Sequence, residues 1–120
     1  YGTTLRGGNK NRGTVFRITT SGMERVIYAF KGGADGASPQ AGLTVFKGVL
    51  YGTTVRGGTN GFGTVFSVTT DGNEHVLHSF KGGNDGANPK AVLTVLGDKL
   101  YGTTFSGGTN NVGTVFALTP

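Results

Sequence analysis

The chain has 120 residues, enough for one domain with a buried core if its strands close on one another. It has no cysteine, which excludes disulfides and thiolate metal sites, and its 24 glycines against three prolines are typical of many short strands joined by turns. Eleven Lys and Arg against six acids give a formal charge of +5, but the bases are scattered singly, so the sequence predicts no nucleic-acid groove. No apolar run approaches the length of a membrane span, so no transmembrane helix is predicted either.

A 50-residue repeat organises the whole chain. The motif Tyr-Gly-Thr-Thr occurs at 1–4, 51–54 and 101–104, and Gly-Thr-Val-Phe follows each copy at 13–16, 63–66 and 113–116. A third motif, Lys-Gly-Gly-x-Asp-Gly-Ala-x-Pro, occurs at 31–39 and 81–89, and 29 of 50 positions are identical between the first two units. The sequence therefore predicts a single array over 1–120, with units 1–50 and 51–100 and a partial unit 101–120.

Each full unit carries four strand signals, here labelled A to D. The one complete run in A-to-D order, which starts near the end of the first unit, covers 43–46, 50–54, 64–68 and 76–80, all rich in β-branched and aromatic residues and none with helical periodicity. The links at 47–48 and 71–72 are typical of hairpin turns. Four antiparallel strands in each unit of about 50 residues predict an all-β chain of β-propeller-type blades.

The strand order along the chain is BCD, ABCD, ABC, which amounts to about two and a half blades. A closed propeller has roughly four to eight blades, so one copy is not expected to close. Both end blades would then leave an open sheet edge and an uncovered face. Because of these open surfaces, we expect a ring or fibre that is completed by association of copies or by a longer parent chain. A stable isolated monomer is not expected.

These motifs also resemble a known family over the whole chain. The ordered series Leu-Tyr-Gly-Thr-Thr, Gly-Gly, Gly-Thr-Val-Phe and Phe-x-Gly-Gly-x-Asp-Gly-x-x-Pro, followed by a Gly-Leu-x-x strand, is similar to the GloVer-type tandem repeat. The chain departs from it at Val92, where the first unit has Gly42, and at 97–98. The resemblance implies an exported, often surface-anchored bacterial repeat protein of propeller type, and it implies no reaction.

Strand parity places the long B–C and D–A loops on one rim, which is the predicted binding face because function tends to lie on loops held by a rigid scaffold. In the second unit these loops cover 56–63 and 81–91. The candidate ligand residues on this rim are polar, charged or aromatic; they are Arg6, Arg12, Asp35, Arg56, Asn60, Phe62, Asp85, Asn88 and Asn110.

Asp35 and Asp85 invite two chemical hypotheses, a calcium site that includes Asn84 and Asn88, or a glycosidase pair. The pattern lacks the dense acidic ladder of a calcium loop. Equivalent residues on neighbouring blades are expected to lie farther apart than the roughly 5 to 10 Å between glycosidase carboxyls. We favour carboxylates that cap their own turns. The sequence predicts no metal, no cofactor and no catalytic residue.

The remaining candidates have a structural and a binding interpretation. Arg6 and Arg56 either clamp the carboxylate of an acidic sugar or lie solvated at strand ends, and solvation is favoured because Ser106 replaces them in the third unit. Phe62 either stacks on a sugar ring or packs on the next blade. The recurring tyrosines at 1, 51 and 101 favour packing between blades. The two-residue period predicts His75 and His78 on opposite faces of one strand, where they would form no metal site.

Two functions fit this sequence. The first is a non-enzymatic structural or interaction protein that self-assembles on a bacterial surface or outside the cell. The alternative is a carbohydrate-binding propeller with sites on the long-loop rim. The loop tips at 9–12, 59–62 and 109–112 differ among the units while the strands do not, which favours the scaffold.

Overall fold

The computed structural model describes all 120 residues, and it is all-β except for one short 3₁₀ turn at Gly83–Asp85. Three antiparallel sheets follow one another along the chain, each a meander of sequential strands. Sheet I contains β1 (Gly2–Thr4), β2 (Thr14–Ile18) and β3 (Glu24–Ala29). Sheet II contains β4 (Thr44–Phe46), β5 (Val49–Thr54), β6 (Thr64–Val68) and β7 (Glu74–Ser79). Sheet III contains β8 (Thr94–Leu96), β9 (Lys99–Thr104) and β10 (Thr114–Leu118).

The four strands of the predicted A-to-D run agree with β4 to β7 to within two residues at every end. Strand D shows the largest difference, since β7 begins at Glu74 and ends at Ser79 rather than covering 76–80. Phe80 leaves the ladder because its N–H donates to the carbonyl of Gly63, in the B–C loop. The predicted hairpin at 47–48 is a tight turn in which Lys47 and Gly48 both have positive φ, as a two-residue hairpin requires.

The glycine of Tyr-Gly-Thr-Thr is explained by close packing within each sheet. Gly52 on β5 lies opposite Phe66 on β6, and the phenyl ring extends across the β5 backbone. A methyl group at Gly52 would lie 2.7 Å from Phe66 Cζ and 2.9 Å from Leu43 Cδ2. Gly2 and Gly102 meet Phe16 and Phe116 in the same way, so any larger residue would displace the ring.

The sheets pack face to face through two apolar clusters. In sheets II and III, the front face is the side that packs on the preceding sheet and the back face is the opposite side. The equivalent sides of sheet I have the same names. Between sheets I and II, the back of sheet I meets the front of sheet II through the buried residues Val15, Phe30, Leu50, Phe66 and Val68. Between sheets II and III, the cluster contains Tyr51, Val65, Phe80, Leu93 and Leu100. Edge-to-face phenyl pairs recur at both junctions, with centroids 5.0 Å apart for Phe30–Phe66 and 5.2 Å for Phe80–Phe116.

Backbone hydrogen bonds also join neighbouring units. The D–A loop of the first unit pairs with the end of strand B of the second, where the Ala37 N–H donates to Arg56 O at 2.8 Å and the Arg56 N–H donates to Ala37 O at 3.1 Å. The Gly58 N–H donates to Gly33 O at 2.9 Å. Ala87 and Ser106 repeat the paired arrangement between the second and third units. Each D–A loop therefore ties its own sheet to the next one.

A threonine pair lies beneath each of these links. Thr54 Oγ1 and Thr64 Oγ1 are 2.8 Å apart in the buried interior, and Thr54 Oγ1 also accepts from the Thr64 N–H. Gly36, from the D–A loop of the first unit, lies directly on this pair, because a methyl group there would be 2.5 Å from Thr54 Oγ1. The Asp-Gly-Ala, Tyr-Gly-Thr-Thr and Gly-Thr-Val-Phe motifs thus meet at one inter-unit contact.

The two outermost faces have no covering sheet. On the front face of sheet I, Ile18 is 54% and Val26 46% exposed. On the back face of sheet III, Leu96 is 69% and Val115 79% exposed. The outer edges of β1 and β10 also pair with no strand of this chain. None of the chain's elements is a helix with the length and apolarity needed to cross a membrane.

Candidate functional site: the long-loop rim

The B–C and D–A loops lie together on one rim, and the candidate residues there divide into two groups. Asp35, Asp85, Asn88, Arg12 and Phe62 contact other parts of the rim. The remaining four are exposed: Asn60 and Asn110 lie at loop tips, and Arg6 and Arg56 line a pocket between the first and second units.

The two aspartates close their own D–A loops. Asp35 Oδ2 accepts from the Lys31 N–H at 2.9 Å and from the Tyr28 hydroxyl at 2.8 Å. Asp85 Oδ2 accepts from the Lys81 N–H at 2.8 Å and lies 3.0 Å from His78 Nε2. In both units the carboxylate binds the first residue of the loop and an aromatic side chain of strand D.

Asn88 bridges the second and third units. Its Nδ2 donates to Val55 O at 3.0 Å, and its Oδ1 accepts from the Ser106 hydroxyl at 2.9 Å. Its own N–H donates to Phe62 O, and its φ of 58° fits the left-handed turn at this point. All the polar groups of Asn88 therefore serve the junction.

Arg12 and Phe62 occupy equivalent positions and have equivalent neighbours. The Arg12 side chain lies against Gly32, and the Phe62 ring lies against Gly82 in the D–A loop of its own unit. Phe62 is 40% exposed. This contact with its own D–A loop differs from both sequence hypotheses, which expected a free stacking ring or packing on the next unit.

The asparagines of the B–C loops have different structural roles. Asn60 and Asn110 are exposed loop-tip residues. The next position shapes the loop instead: Asn11 Oδ1 accepts from the Gly7 N–H at 2.8 Å and Asn111 Oδ1 from the Gly107 N–H at 2.7 Å.

The rim pocket, defined by Arg6, Ser38, Gln40, Arg56 and Lys90, is cationic. It has a volume of about 170 Å³, and Leu5 and Val55 form its apolar walls. The chain's single ion pair joins His78 to Asp85, so none of the three cations has an acidic partner. Lys90 was not among the sequence candidates. Lys90 occupies the position of Gln40 in the first unit. The repeat pattern gave no sign that the Lys90 side chain reaches the pocket that contains Arg6 and Arg56.

A second group of ionisable residues lies away from the rim pocket, where the start of β7 meets the D–A loop of the first unit. Burial, reinforced by the charge of Asp35, raises the pKa of Glu74 from 4.5 to about 7, and Lys31 offsets this only in part. Glu74 Oε1 is buried without a hydrogen-bond partner. Burial and the hydrogen bond to Asp35 also raise the pKa of Tyr28, so its hydroxyl stays protonated. No group of three or more His, Asp or Glu converges as a metal site.

The fold and the repeated junctions define a class: a tandem-repeat protein of small antiparallel sheets that pack face to face. Within that class, the family model described as the Gloeobacter/Verrucomicrobia repeat matches residues 1–120, and the chain belongs to this family. The family resemblance predicted from the motifs is confirmed. Comparison with the curated proteins and with the solved structures found no match.

Proposed function

We propose that this chain is a non-enzymatic structural repeat protein whose two end faces bind further copies, head to tail, in a ring or fibre of β-propeller type. The observation that carries the proposal is the contrast between equivalent side chains. Val65 is fully buried against sheet III, whereas Val115, at the same place on the back of sheet III, is 79% exposed. Val68 is fully buried against sheet I, whereas Ile18 on the front of sheet I is 54% exposed.

The molecule itself supplies the partner surface for each open face. Inside the chain, every covered back face meets the front face of the next unit, and both junctions use the same phenyl pair and the same D–A loop contact. The open back face of sheet III and the open front face of sheet I have the same kind of apolar residues. A second copy placed head to tail would bury both faces and continue an interface that already exists.

The proposal includes a location: the protein acts outside a bacterial cell, on its surface or in the surrounding matrix. It is supported by the low share of charged residues (14%) and by the motif resemblance described above, which implies an exported protein. Protease accessibility on intact cells tests this part, and a chain that is protected until the cells are lysed would contradict it.

Complementary face variants test the head-to-tail geometry. Val115→Asp blocks the back of sheet III and leaves the front of sheet I intact, and Ile18→Asp does the reverse. Because both residues are exposed, each variant should fold as a single chain. Light scattering should show each variant alone as a monomer and the equimolar mixture as a heterodimer of one restored junction.

Two other outcomes of that experiment would contradict the proposal. If either variant alone forms a dimer, like faces pair with each other and the assembly is not head to tail. If the unmodified chain and the variants have the same mass, the end faces are not association surfaces.

Carbohydrate binding on the rim is the second candidate, and one observation favours it: the unpaired cations of the rim pocket. A glycan array probed with the unmodified chain tests this function, and binding to no glycan would contradict it. The loop tips themselves give it no support, because they differ among the three units and Phe62 is packed on Gly82.

A further inference from the structure

We infer that the rim pocket binds a carboxylate group of an acidic polysaccharide, with Arg6 and Arg56 as the clamp and Lys90 as the third cation. This inference rests on the second proposed function and specifies its ligand class. It does not depend on self-association, because the three cations lie on the rim and not on the open faces of sheets I and III.

The charge of the pocket is the first step of the argument. Arg6, Arg56 and Lys90 line one pocket, and no acid of the chain pairs with them, since its one ion pair is elsewhere and Asp35 and Asp85 close their own loops. All three side chains are exposed, and three positive charges that line one pocket raise the local positive potential, which favours an anion there.

Part of the pocket is held rigidly before any ligand arrives. The backbone of Arg56 is fixed by its two hydrogen bonds with Ala37. Lys90 is oriented as well, because its Nζ lies 3.9 Å from the centroid of the Phe105 ring. Ser38 and Gln40 add neutral polar groups to the same wall. Because Lys90 and the Arg56 backbone are already placed, binding has to order mainly the exposed guanidinium groups of Arg6 and Arg56, which lowers its conformational-entropy cost.

The size and lining of the pocket favour a sugar acid. A volume of about 170 Å³ is below the roughly 300 to 1,000 Å³ of pockets that enclose a whole small molecule, so the pocket takes one anionic group while the rest of a polymer stays on the open rim. The guanidinium fork matches a carboxylate in two parallel hydrogen bonds. No aromatic ring lines the pocket for base stacking, its apolar walls being Leu5 and Val55, which favours a polysaccharide over a single-stranded nucleic acid.

One such pocket exists per chain. At the equivalent position of the next junction Ser106 replaces the arginine, and its hydroxyl is engaged with Asn88. The cationic pocket is therefore a feature of the first junction and not of the repeat motif, and the ligand should bind once per 120-residue chain.

Calorimetric titration of the full chain with a defined-length oligogalacturonate tests the inference. The triple variant Arg6→Gln, Arg56→Gln, Lys90→Gln should bind at least about tenfold more weakly. The matched control Arg17→Gln, Arg25→Gln, Lys47→Gln removes the same charge from exposed positions away from the rim pocket and from the open faces, and should stay within about twofold. Circular dichroism and light scattering should show that both variants keep the fold and the assembly of the unmodified chain.

The control variant and the other ligands each give a decisive result. Equal loss in both triple variants would overturn the inference, because net charge and not the pocket would then control binding. Equally tight binding of oligothymidylate, or of sulfate alone, would overturn the assignment to a polysaccharide. Binding of the uncharged methyl ester as tightly as the acid would overturn the carboxylate role and leave carbohydrate binding standing. Binding of neither sugar polymer would contradict both.

Discussion

Sheet II and the two outer sheets are built from the same motifs but have different surroundings. Both faces of sheet II are covered, and Val65, Phe66 and Val68 are fully buried. Sheets I and III are each covered on one face, and the same positions on their open faces, Ile18 and Val115, are exposed. The comparison shows that the repeat motif defines two apolar faces per unit, and that a neighbouring unit is needed to bury each of them.

The contrast has a physical consequence for stability. A single small sheet with two apolar faces cannot bury enough surface on its own, so each unit depends on interface contacts with its neighbours. The units are coupled by the D–A loops and the phenyl pairs, which are contacts between units rather than within one.

The largest expected effect separates the covered back face from the open one. Val65→Asp buries an unpaired carboxylate and should lower the free energy of unfolding by roughly 4 kcal/mol or more. Val115→Asp, at the equivalent exposed position, should change it by only about 0.5 kcal/mol. Urea unfolding, measured on dilute chains, checks the pair. Similar losses in both variants would mean that the two faces do not differ as described.

The next effect tests the ring contact within sheet II. Gly52→Ala should cost about 1–3 kcal/mol, because the added methyl group would overlap the Phe66 ring. Gly42→Ala is the matched control, since a methyl group there meets nothing within 4 Å and the second unit already has Val92 at this position. Thermal unfolding of the two variants should separate them by several degrees, and equal midpoints would contradict the packing explanation.

A smaller effect compares two threonine pairs. Thr54→Val leaves the buried Thr64 N–H without its acceptor and should cost about 1–3 kcal/mol. The Thr4–Thr14 pair of sheet I has the same hydrogen bonds, but no D–A loop of this chain covers it and Thr4 is half-buried. Thr4→Val should therefore cost less than Thr54→Val in chemical denaturation. The reverse order would show that the inter-unit contact does not strengthen the pair.

The smallest effect is a pH dependence at Glu74. The pKa of this group is about 7 in the folded chain against 4.5 ordinarily, so the folded state holds the proton more tightly. The contribution of Glu74 to the free energy of unfolding is therefore greatest below about pH 4.5. It falls between pH 4.5 and 7 and is constant above that range.

Glu74→Gln should remove this fall. It should stabilise the chain at pH 8 by about 1 kcal/mol, well below the full value of the pKa shift because the residue is only half-buried, and it should have little effect at pH 4. Glu24→Gln, at the exposed equivalent position, is the control. A Glu74 variant with an unchanged pH profile would rule out the charged carboxylate as the cause.

The sequence was sufficient to predict the strands and to identify the family. The four strand signals of the A-to-D run correspond to β4–β7, and fixed spacing of the motifs identified the repeat, because period-two apolar patterns and turn glycines are local properties of the chain. The motifs on the rim were harder to interpret. Asp35, Asp85 and Asn88 are chemically suited to bind ligands, yet their partners are backbone and side-chain groups of the same loops and junctions.

The pocket could not be derived from the sequence for a different reason. Arg6, Arg56 and Lys90 come from three loops, and their convergence depends on how sheets I and II pack. Lys90 breaks the repeat pattern where Gln40 stands in the first unit. A search for features shared by all units therefore passes over it, although a departure from the repeat is where a single site per chain is expected.

The most direct test of the central claim is the native mass of the unmodified chain, measured by light scattering across a dilution series. Pairing of the open faces predicts a mass above the 12.3 kDa of one chain, which falls on dilution and falls likewise when Val115→Asp is introduced. A mass of 12.3 kDa at every concentration would show that the exposed faces of sheets I and III do not bind a second copy, and would contradict the account.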